Sequence, residues 1–544
     1  MAGPLSDLRS AVEDAALAAA GRNAGAPAAR PTLERPKQPG FGDYASNAAM
    51  LLSKVAGEPP RDVAARVAEE LRARLGDAIE RVEVAGPGFL NLFLTDAWHA
   101  AALARILAAG DAFGGGGAEP PLRYNVEFVS ANPTGPLTAA GGRHAAYGDA
   151  VARLLQFRGH EVRREYYVND YGSQVRHLGE SIVARARGEE PSEGGYVGDY
   201  VSRVAERIPN AGSDDVDVVA ERGVWLLLDS IRKSMHAMRI GFDTWFSERS
   251  LHEGDPSPVQ YAFAELRQRG ETYRDEGALW LRTSAHGDDK DRVLERSTGE
   301  HTYFASDIAY HLDKLERGFD RLIDVWGSDH HGYVPRMKAM LAALGREPEV
   351  LELTIMQFVN IVERGERTQM SKRRGDFVTL DDLLARIGVD AARFLMLQRS
   401  HDTTVDLDLD LAVSQSSQNP VYYVQYAHAR IHSMLRKSAR GELQAALADP
   451  AGLAHELEPS ERALIAKLLA FPDEVAEAEE RRAPHRIAAY ALELAQVYTR
   501  HYDDCPVLKA DDEVRPFRLR LSVAAQRTIS RALDLLGVSA PHSM

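Results

Sequence analysis

The chain has 544 residues, of which 44% are hydrophobic and 27% charged, a composition that is ordinary for a globular protein with several cored domains. Its formal net charge of −15 argues against a protein that coats nucleic acid without selection, and its single cysteine, Cys505, excludes an internal disulfide and a cysteine-based zinc cluster. No apolar run is long enough to span a bilayer and the N-terminus lacks a signal-peptide pattern, so we expect a cytoplasmic protein with no membrane partner.

The first predicted domain, residues 1–112, is a small α+β module. It opens with an alanine-rich helical pattern, continues with a second one at Arg61–Leu75, and ends with a strand, turn and strand around residues 82–92. Gly114–Gly117, followed by two prolines, predict a linker to the next domain.

Strand and helix patterns alternate through the second predicted domain, residues 118–390. Tyr124–Ser130 predict a strand, Gly141–Gln156 a helix and Glu161–Val168 the next strand. Further strands are expected at residues 320–326 and 353–359. This alternation predicts a doubly wound, parallel, Rossmann-like α/β sheet.

An AsnPro and a ThrGlyPro sequence end the first strand of this sheet, and Gly141 and Gly142 precede the helix that follows. Such residues break a strand, and glycine lets a ligand approach the backbone closely. The free amide groups at a helix N-terminus suit a phosphate. The pattern predicts a split nucleotide-binding site, with its second part in the distant MetSerLysArg sequence at Met370–Arg373.

The alternation is interrupted between about residues 188 and 299, where turn-rich sequences indicate an insertion. From residue 391 to residue 544, strand signals nearly vanish and long helical patterns dominate. These patterns cover Pro420–Leu435, Pro459–Glu480, His485–Tyr502 and Phe517–Leu536. They predict an α-helical bundle as the third domain.

Five blocks of the sequence resemble the class I aminoacyl-tRNA synthetases and, within them, the arginyl-tRNA synthetase family. They follow that family's order: GluPheValSerAlaAsnProThrGlyProLeu from Glu127, TyrTyrValAsnAspTyrGlySerGln from Tyr166, ThrTyrPheAlaSerAspIleAlaTyr from Thr302, TrpGlySerAspHisHisGlyTyr from Trp326 and GlyValAspAlaAlaArgPhe from Gly388. The resemblance covers nearly the whole chain, and five ordered blocks are far more specific than one motif.

The resemblance implies that the chain activates L-arginine with ATP, supplied as its Mg²⁺ complex, and transfers arginine to the 2′-hydroxyl of the 3′-terminal adenosine of tRNA(Arg). It implies that adenylation awaits bound tRNA, that the N-terminal module touches the tRNA elbow and that the helical bundle binds the anticodon. The insertion resembles the connective insertion of class I synthetases. We expect a monomer with no tightly bound protein metal.

Adenylation places charge on the α-phosphate and on the departing pyrophosphate, so the site needs mobile or preorganised cations and donors. Lys372 is the expected catalytic point charge, and Ser371 the residue that holds its loop. The residues expected to bind ATP are Pro133, Gly141, Gly142, Asp329, His330, Met370 and Lys372.

The sequence departs from the family pattern at two signatures. The first usually carries two histidines, but this chain has Thr138, Ala139, Ala140 and Gly141, and the second usually begins with lysine where this chain has Gln369. Losing one preorganised donor typically costs about 10²–10³ in rate. We hypothesise that the hydroxyl of Thr138 and the imidazole of His144 substitute for the missing groups.

An arginine substrate requires acidic partners, because a guanidinium presents a planar fork of donors. Glu127 stands in an apolar strand, where an ionised carboxylate needs either a protein cation or a charged ligand, and we favour the substrate. The family resemblance adds four residues that are expected to bind arginine: Ser130, Asn132, Tyr303 and Asp307. Tyr303 and Asp307 have the spacing of one helical face.

Aromatic and basic residues alternate in the first predicted helix of the bundle, a mixture suited to stacking unpaired nucleotides and holding phosphates. The residues expected to bind tRNA are Tyr422, Tyr426, His428, Arg430 and the terminal Met544. The tyrosines could equally be core residues.

The sequence therefore predicts an arginine–tRNA ligase. The missing histidines and Gln369 motivate one alternative, a non-catalytic tRNA-binding paralogue, against which Lys372 and the acidic pocket speak. A class I synthetase for another amino acid is the second alternative, and Glu127, Tyr303 and Asp307 argue against it.

Overall fold

The fold is taken from a computed structural model that describes residues 3–20, 29–36, 38, 40–367 and 378–544. The N-terminal region pairs helices with a small antiparallel sheet. Its elements are α1 (Pro4–Ala20), β1 (Leu33–Glu34), β2 (Tyr44–Ser46), α2 (Ala48–Ala56), α3 (Pro60–Leu75), β3 (Ile79–Ala85), β4 (Phe89–Leu94) and α4 (Asp96–Ala109). The sheet has the order β1-β2-β4-β3, and the predicted strand, turn and strand are β3 and β4.

The middle of the chain contains most of the strands. Its elements are β5 (Arg123–Glu127), α5 (Ala139–Arg158), β6 (Glu161–Val168), α6 (Ser173–Ala186), α7 (Asp199–Arg207), α8 (Val216–Ala237), β7 (Thr244–Ser247), α9 (Pro258–Gln268), β8 (Thr272–Asp275), β9 (Ala278–Leu281), β10 (Arg292–Glu295), α10 (Tyr303–Glu316), β11 (Arg321–Gly327), α11 (Val334–Ala343), β12 (Leu351–Met356), β13 (Val359–Glu363) and β14 (Glu366–Arg367).

Five of these strands form the predicted parallel sheet, in the order β12-β11-β5-β6-β7. Its central strand, β5, continues through a turn into α5, and the chain then crosses to β6, whose bounds match the predicted strand. All carboxyl ends of parallel strands meet at one edge, and ligands bind beyond that edge in open α/β sheets. The fold therefore places the predicted site at this edge.

Two features of the middle region differ from the sequence prediction. The expected strand at 353–359 is two strands, β12 and β13, and β13 leaves the main sheet to pair in parallel with a later strand. The interval 188–299 is not wholly separate from the sheet, because α8 leads into β7, which pairs in parallel with β6. Turn-rich sequence hid this short edge strand, since four residues give too little periodicity to detect.

The C-terminal region is helical, as predicted. Its elements are α12 (Leu380–Leu397), β15 (Val405–Asp408), α13 (Leu409–Val413), α14 (Pro420–Arg436), α15 (Glu442–Ala448), α16 (Pro459–Leu469), α17 (Phe471–Glu480), α18 (Pro484–Asp504) and α19 (Arg515–Leu535). The helix predicted over Pro459–Glu480 is two helices, because Pro472 cannot donate a backbone hydrogen bond and its ring clashes with the preceding turn.

The expected boundary at residue 391 falls inside α12, which bends at Gly388 (φ 76°) but continues to Leu397. Beyond it, β15 pairs with β13, so the sheet region takes in residues past 391. One hydrophobic core joins α5, α12 and the helical bundle, whereas α1 to β4 have a core of their own. Within the described residues, no helix combines the length and the apolar character needed to cross a bilayer.

Candidate active site

The turn after β5 has an unusual backbone. Val129 and Ser130 both have positive φ angles, 71° and 36°, in a region that residues other than glycine rarely occupy. The hydroxyl of Ser130 donates to Glu127 Oε1 at 2.8 Å and accepts the backbone N–H of Tyr167 at 3.1 Å. Strained backbone persists where surrounding contacts over-determine it, and it clusters at ligand sites.

Three buried carboxylates lie side by side across the parallel sheet, level with the last residue of β5, and we call them the carboxylate row: Glu165 on β6, Glu127 on β5 and Asp324 on β11. Lys314 of α10 has no exposed surface, and its Nζ donates to Glu127 Oε2 at 2.6 Å and to Asp324 Oδ1 at 2.9 Å. From the sequence, the substrate was the expected partner of Glu127. The structure provides a protein cation instead, which reaches the strand from a helix far along the chain.

The other members of the row are also paired. Arg317 donates to both oxygens of Glu165, at 2.6 and 2.8 Å, and His311 Nε2 lies 2.8 Å from Asp324 Oδ2. Burial would raise the pKa of Asp324, but Lys314 and His311 outweigh it and hold that pKa below its usual value. Burial raises the pKa of Glu127, and the attraction of Lys314 offsets only part of this effect.

Two further carboxylates, Glu248 and Asp307, form what we call the acidic pocket. Asp307 lies on the second turn of α10, and Glu248 follows β7 directly in a short 3₁₀ turn. In the part of the chain that the structure describes, neither carboxylate has an ion-pairing cation, and Glu248 Oε2 has no hydrogen-bond partner. Burial raises the pKa of Asp307 to about 6 and that of Glu248 to about 7, and the charge of Asp307 adds to the rise at Glu248.

Glu248 was not among the residues singled out from the sequence. It is 3% exposed, and it follows the short edge strand that the sequence analysis missed. An acidic residue immediately after an aromatic strand was the available signal, because strand ends in this fold face the ligand. A buried Glu248 beside a partly buried Asp307 is costly without a cation, so a cationic ligand is the natural partner for this pocket.

The remaining residues that were expected to bind arginine surround the pocket's mouth. Tyr303 begins α10, one turn before Asp307, and is 52% exposed. Asn132 is exposed, and its Nδ2 donates to Gln174 Oε1 at 2.6 Å. The nearby Arg336 stacks on the ring of Tyr333, with its Cζ 3.9 Å from the ring centroid, and makes no ion pair with Asp307.

The N-terminus of α5 lies at the same edge of the sheet. Thr138 caps this helix, and its hydroxyl accepts the backbone N–H of Gly141 at 3.4 Å. Gly142 has a packing reason to be glycine, because a Cβ there would lie 2.7 Å from Leu380 Cδ1. Pro133 is buried in the turn that precedes the helix.

His144, on the first turns of α5, lies beside the TrpGlySerAspHisHis block. A Cβ built at Gly327 would be 3.8 Å from His144 Cε1 and 2.6 Å from Asp329 Oδ1. Burial, reinforced by Arg143, lowers the pKa of His144 to about 4. The imidazole is therefore neutral near pH 7, and it offers a hydrogen-bond donor rather than a positive charge. His330 and Asp329 are exposed, with 3.6 Å between His330 Nε2 and Asp329 Oδ2.

Met370, Ser371 and Lys372 lie outside the described residues. Farther along the chain, Val378–Leu380 contact the start of α5. The backbone N–H of Ala139 donates to Val378 O at 3.2 Å, and that of Leu380 donates to Leu137 O at 2.8 Å. Thr138 and Thr379 form an isolated β-bridge. Residues Val378–Leu380, which follow the second signature in the chain, therefore lie beside Thr138 at the N-terminus of α5, although they are distant from it in sequence.

The residues expected to bind tRNA lie on α14 and in the C-terminal tail. The rings of Tyr422 and Tyr426 stack, with centroids 6.1 Å apart, and Tyr426 is 47% exposed. Arg430 lies over the ring of Tyr502 at 4.2 Å. His428 differs from the expectation, because it is buried and its Nδ1 lies 2.8 Å from Pro541 O, where it contacts the tail. The terminal Met544 is 55% exposed.

Three family models match the chain. The arginyl tRNA synthetase N terminal domain matches residues 6–94, the catalytic domain of class I (R) tRNA synthetases matches residues 212–433, and the DALR anticodon binding domain matches residues 424–544. The matches follow the same order as the three regions of the fold.

Curated proteins and solved structures of arginyl-tRNA synthetases also match the chain, and they cover more of its length than any one family model does. The chain is 44% identical over 528 residues to an arginine–tRNA ligase of Geobacillus thermodenitrificans, with 94% of each chain covered. It is 44% identical over 529 residues to an arginine–tRNA ligase of Nitratidesulfovibrio vulgaris, with 94% of this chain and 95% of that one covered. Thermus thermophilus arginyl-tRNA synthetase superposes with a TM-score of 0.76 at 26% identity, covering 98% of this chain and 100% of that one.

A putative arginyl-tRNA synthetase structure from Campylobacter jejuni also has a TM-score of 0.76, at 32% identity, and covers 83% of this chain and all of that one. Similarity of this extent includes the sheet, the insertion and the helical bundle together.

Proposed function

We propose, since the chain belongs to the arginyl-tRNA synthetase family and is an arginine–tRNA ligase, that the acidic pocket is where this enzyme binds the side chain of its amino acid. The observation that carries the proposal is the pair of carboxylates formed by the buried Glu248 and the partly buried Asp307, which no described cation neutralises. A guanidinium supplies both the positive charge and the planar donors that two adjacent carboxylates accept.

In this proposal Asp307 and Glu248 bind the guanidinium, and Tyr303 covers it from the first turn of α10. Asn132 and the turn that contains Val129 and Ser130, called the Ser130 turn below, contact the α-amino end of arginine at the carboxyl end of β5. A pocket of this kind rejects an uncharged isostere strongly, because the isostere would leave both carboxylates unpaired, and such discrimination reaches about 10⁴.

ATP, taken as its Mg²⁺ complex, is proposed to bind beside the N-terminus of α5. The free amides and the dipole of that helix favour the phosphates. Gly141 and Gly142, with Pro133 before them, allow the close approach, and Asp329 and His330 contact the nucleoside. Met370, Ser371 and Lys372 are proposed to reach the same phosphates, a role that the anchoring of Val378–Leu380 on α5 supports.

The proposed reaction has two steps. The carboxylate of arginine attacks the α-phosphate of ATP, and arginyl-adenylate and pyrophosphate form while Lys372 and the α5 amides stabilise the developing charge. The 2′-hydroxyl of the terminal adenosine of tRNA(Arg) then attacks the activated carbonyl and releases AMP. Thr138 and the neutral imidazole of His144 are proposed to donate hydrogen bonds where the missing signature histidines would.

The tRNA is proposed to contact both ends of the molecule. Residues 1–112 contact the elbow, and the bundle binds the anticodon, a role that the match of residues 424–544 to an anticodon-binding domain supports. Tyr422, Tyr426 and Arg430 of α14 are the proposed contacts together with Met544, whereas His428 holds the tail that ends in Met544.

A tRNA-dependent ATP–pyrophosphate exchange assay tests the function. We expect exchange with arginine and tRNA(Arg), and little with lysine or glutamine. Exchange without any response to arginine would contradict the arginine pocket, and tRNA binding without exchange would point to the non-catalytic paralogue. A cytoplasmic monomer stays a prediction, which light scattering and cell fractionation can check.

A further inference from the structure

We propose that Lys314 is a positioning residue for arginine recognition: by holding Glu127 it fixes the Ser130 turn from which the substrate contacts project. The inference rests on the proposed arginine site and assigns a role to a residue that does not contact the substrate. It also gives Glu127 a different role from the expected direct contact.

The ammonium group of Lys314 is committed to the carboxylate row, because both of its hydrogen bonds go to members of that row. Its side chain is fully buried, and its ammonium group lies 2.6 Å from Glu127, 2.9 Å from Asp324 and 4.2 Å from the ring centroid of Tyr310. Two of these contacts are charge-assisted hydrogen bonds, and the third is a cation–π contact. The lysine is therefore fixed in place by the sheet and by its own helix.

Glu127 is in turn fixed by two protein groups, one on each oxygen. Oε2 accepts from Lys314, and Oε1 accepts from the hydroxyl of Ser130 at 2.8 Å. The charge of this carboxylate is therefore paired within the protein, and its orientation is set by one donor on each oxygen. Glu127 connects the lysine to the turn.

The turn needs such support because its backbone is strained. Val129 and Ser130 have φ angles of 71° and 36°, and β-branched valine is a poor residue for that conformation. Ser130 is held by Glu127 and by the N–H of Tyr167, and Ala131 O accepts the hydroxyl of Tyr166 at 2.8 Å. Without Lys314, Glu127 loses the partner that orients it, and the turn that carries Asn132 can relax.

Arg317, the residue directly after α10, provides a matched control within the same row. Arg317 pairs with Glu165, the third carboxylate of the row, but Glu165 makes no side-chain contact with the Ser130 turn. Replacing Arg317 also removes a cation from the row, yet it leaves Lys314, Glu127 and Ser130 connected. Lys314 and Arg317 therefore differ in one respect. The carboxylate paired with Lys314 contacts Ser130, whereas the carboxylate paired with Arg317 does not.

The experiment compares Lys314→Met with Arg317→Met in the full-length enzyme, by steady-state aminoacylation with arginine and ATP varied separately. We expect Lys314→Met to raise KM for arginine by about tenfold or more while KM for ATP changes less than about twofold, because only the amino-acid contacts depend on the turn. Arg317→Met should leave both KM values within about twofold of wild type.

A double-mutant cycle with Glu127→Gln tests whether Lys314 acts through Glu127, and it serves if Lys314→Met alone does not fold. The double variant removes both charges of the pair, so it strands fewer buried ions than the single lysine variant. We expect its KM for arginine to match that of Glu127→Gln alone. A KM for arginine in the double variant that is far higher than the KM of Glu127→Gln would overturn the proposed connection.

Equal changes in the KM values for arginine and ATP, or a loss of kcat alone in Lys314→Met, would also overturn it. Failure of the proposed function is distinguishable, because then the wild-type enzyme itself would not respond to arginine in the exchange assay.

Discussion

The carboxylate row and the acidic pocket belong to the same sheet region and consist of the same residue types, but among the described residues only the row has cations paired with it. In the row, Lys314 serves Glu127 and Asp324, and Arg317 serves Glu165. In the pocket, Glu248 and Asp307 have no such partner within the described residues, and burial raises the pKa of each. A buried carboxylate that is paired stabilises the fold's geometry, whereas one that is left unpaired is available to a ligand.

The largest expected effect breaks the row. Lys314→Met leaves two buried carboxylates without their shared cation, which should cost about 3–5 kcal/mol of stability. Urea unfolding monitored by tryptophan fluorescence checks this, and we expect a lower midpoint for the sheet region than in wild type. A midpoint equal to that of wild type would show that the row does not need its cation.

In the acidic pocket we expect a substitution to lower activity without lowering stability. Asp307→Asn removes a proposed guanidinium partner and should lower kcat/KM for arginine by about 10²–10³. Because the pKa of Asp307 is raised to about 6, its ionised form is unfavourable in the folded state near neutral pH, so the urea midpoint should not fall. Asp313→Asn, on the same helix but paired with Arg317, is the control and should keep arginine affinity. An unstable but fully active Asp307→Asn would reverse the comparison.

Arginine binding should also depend on pH in the pocket's own range. The pKa values of Asp307 and Glu248 are raised to about 6 and about 7, so both carboxyls gain protons as the pH falls through those values. A guanidinium favours the ionised carboxylates, and arginine binding therefore releases protons. We expect KM for arginine to fall as the pH rises from about 6 to about 7, and Glu248→Gln to remove the upper part of this dependence. Measurements at constant ATP and tRNA check it.

The smallest effect is expected at the phosphate end of the site. His144→Ala should lower the adenylation rate by about tenfold, because it removes one proposed neutral hydrogen-bond donor. Since the pKa of His144 is lowered to about 4, the loss should be constant between pH 6 and pH 8. An unchanged rate in His144→Ala, beside a Lys372→Ala variant that abolishes adenylation, would assign His144 to packing alone.

Much of the architecture could be predicted because its signals are local. The bounds of β6 were predicted and confirmed, and Tyr303 and Asp307 do share one face of α10, as their spacing indicates. Elements defined by few residues were missed: β7 has four residues, and Glu248 follows it. The expected role of Lys372 stays a prediction, since that residue lies outside the described part of the chain.

The family, the alternation of strands and helices, and the acidic character that an arginine site requires could all be predicted from the sequence, because motifs and periodicity depend on neighbouring residues. Which carboxylates are paired depends on contacts that form only in the folded chain. Strand register aligns Glu165, Glu127 and Asp324, and the packing of α10 brings Lys314 to two of them, whereas Asp307 and Glu248 have no paired cation in the described part of the chain. The charge state of a buried group depends on what packs against it, and that contact joins residues far apart in the chain.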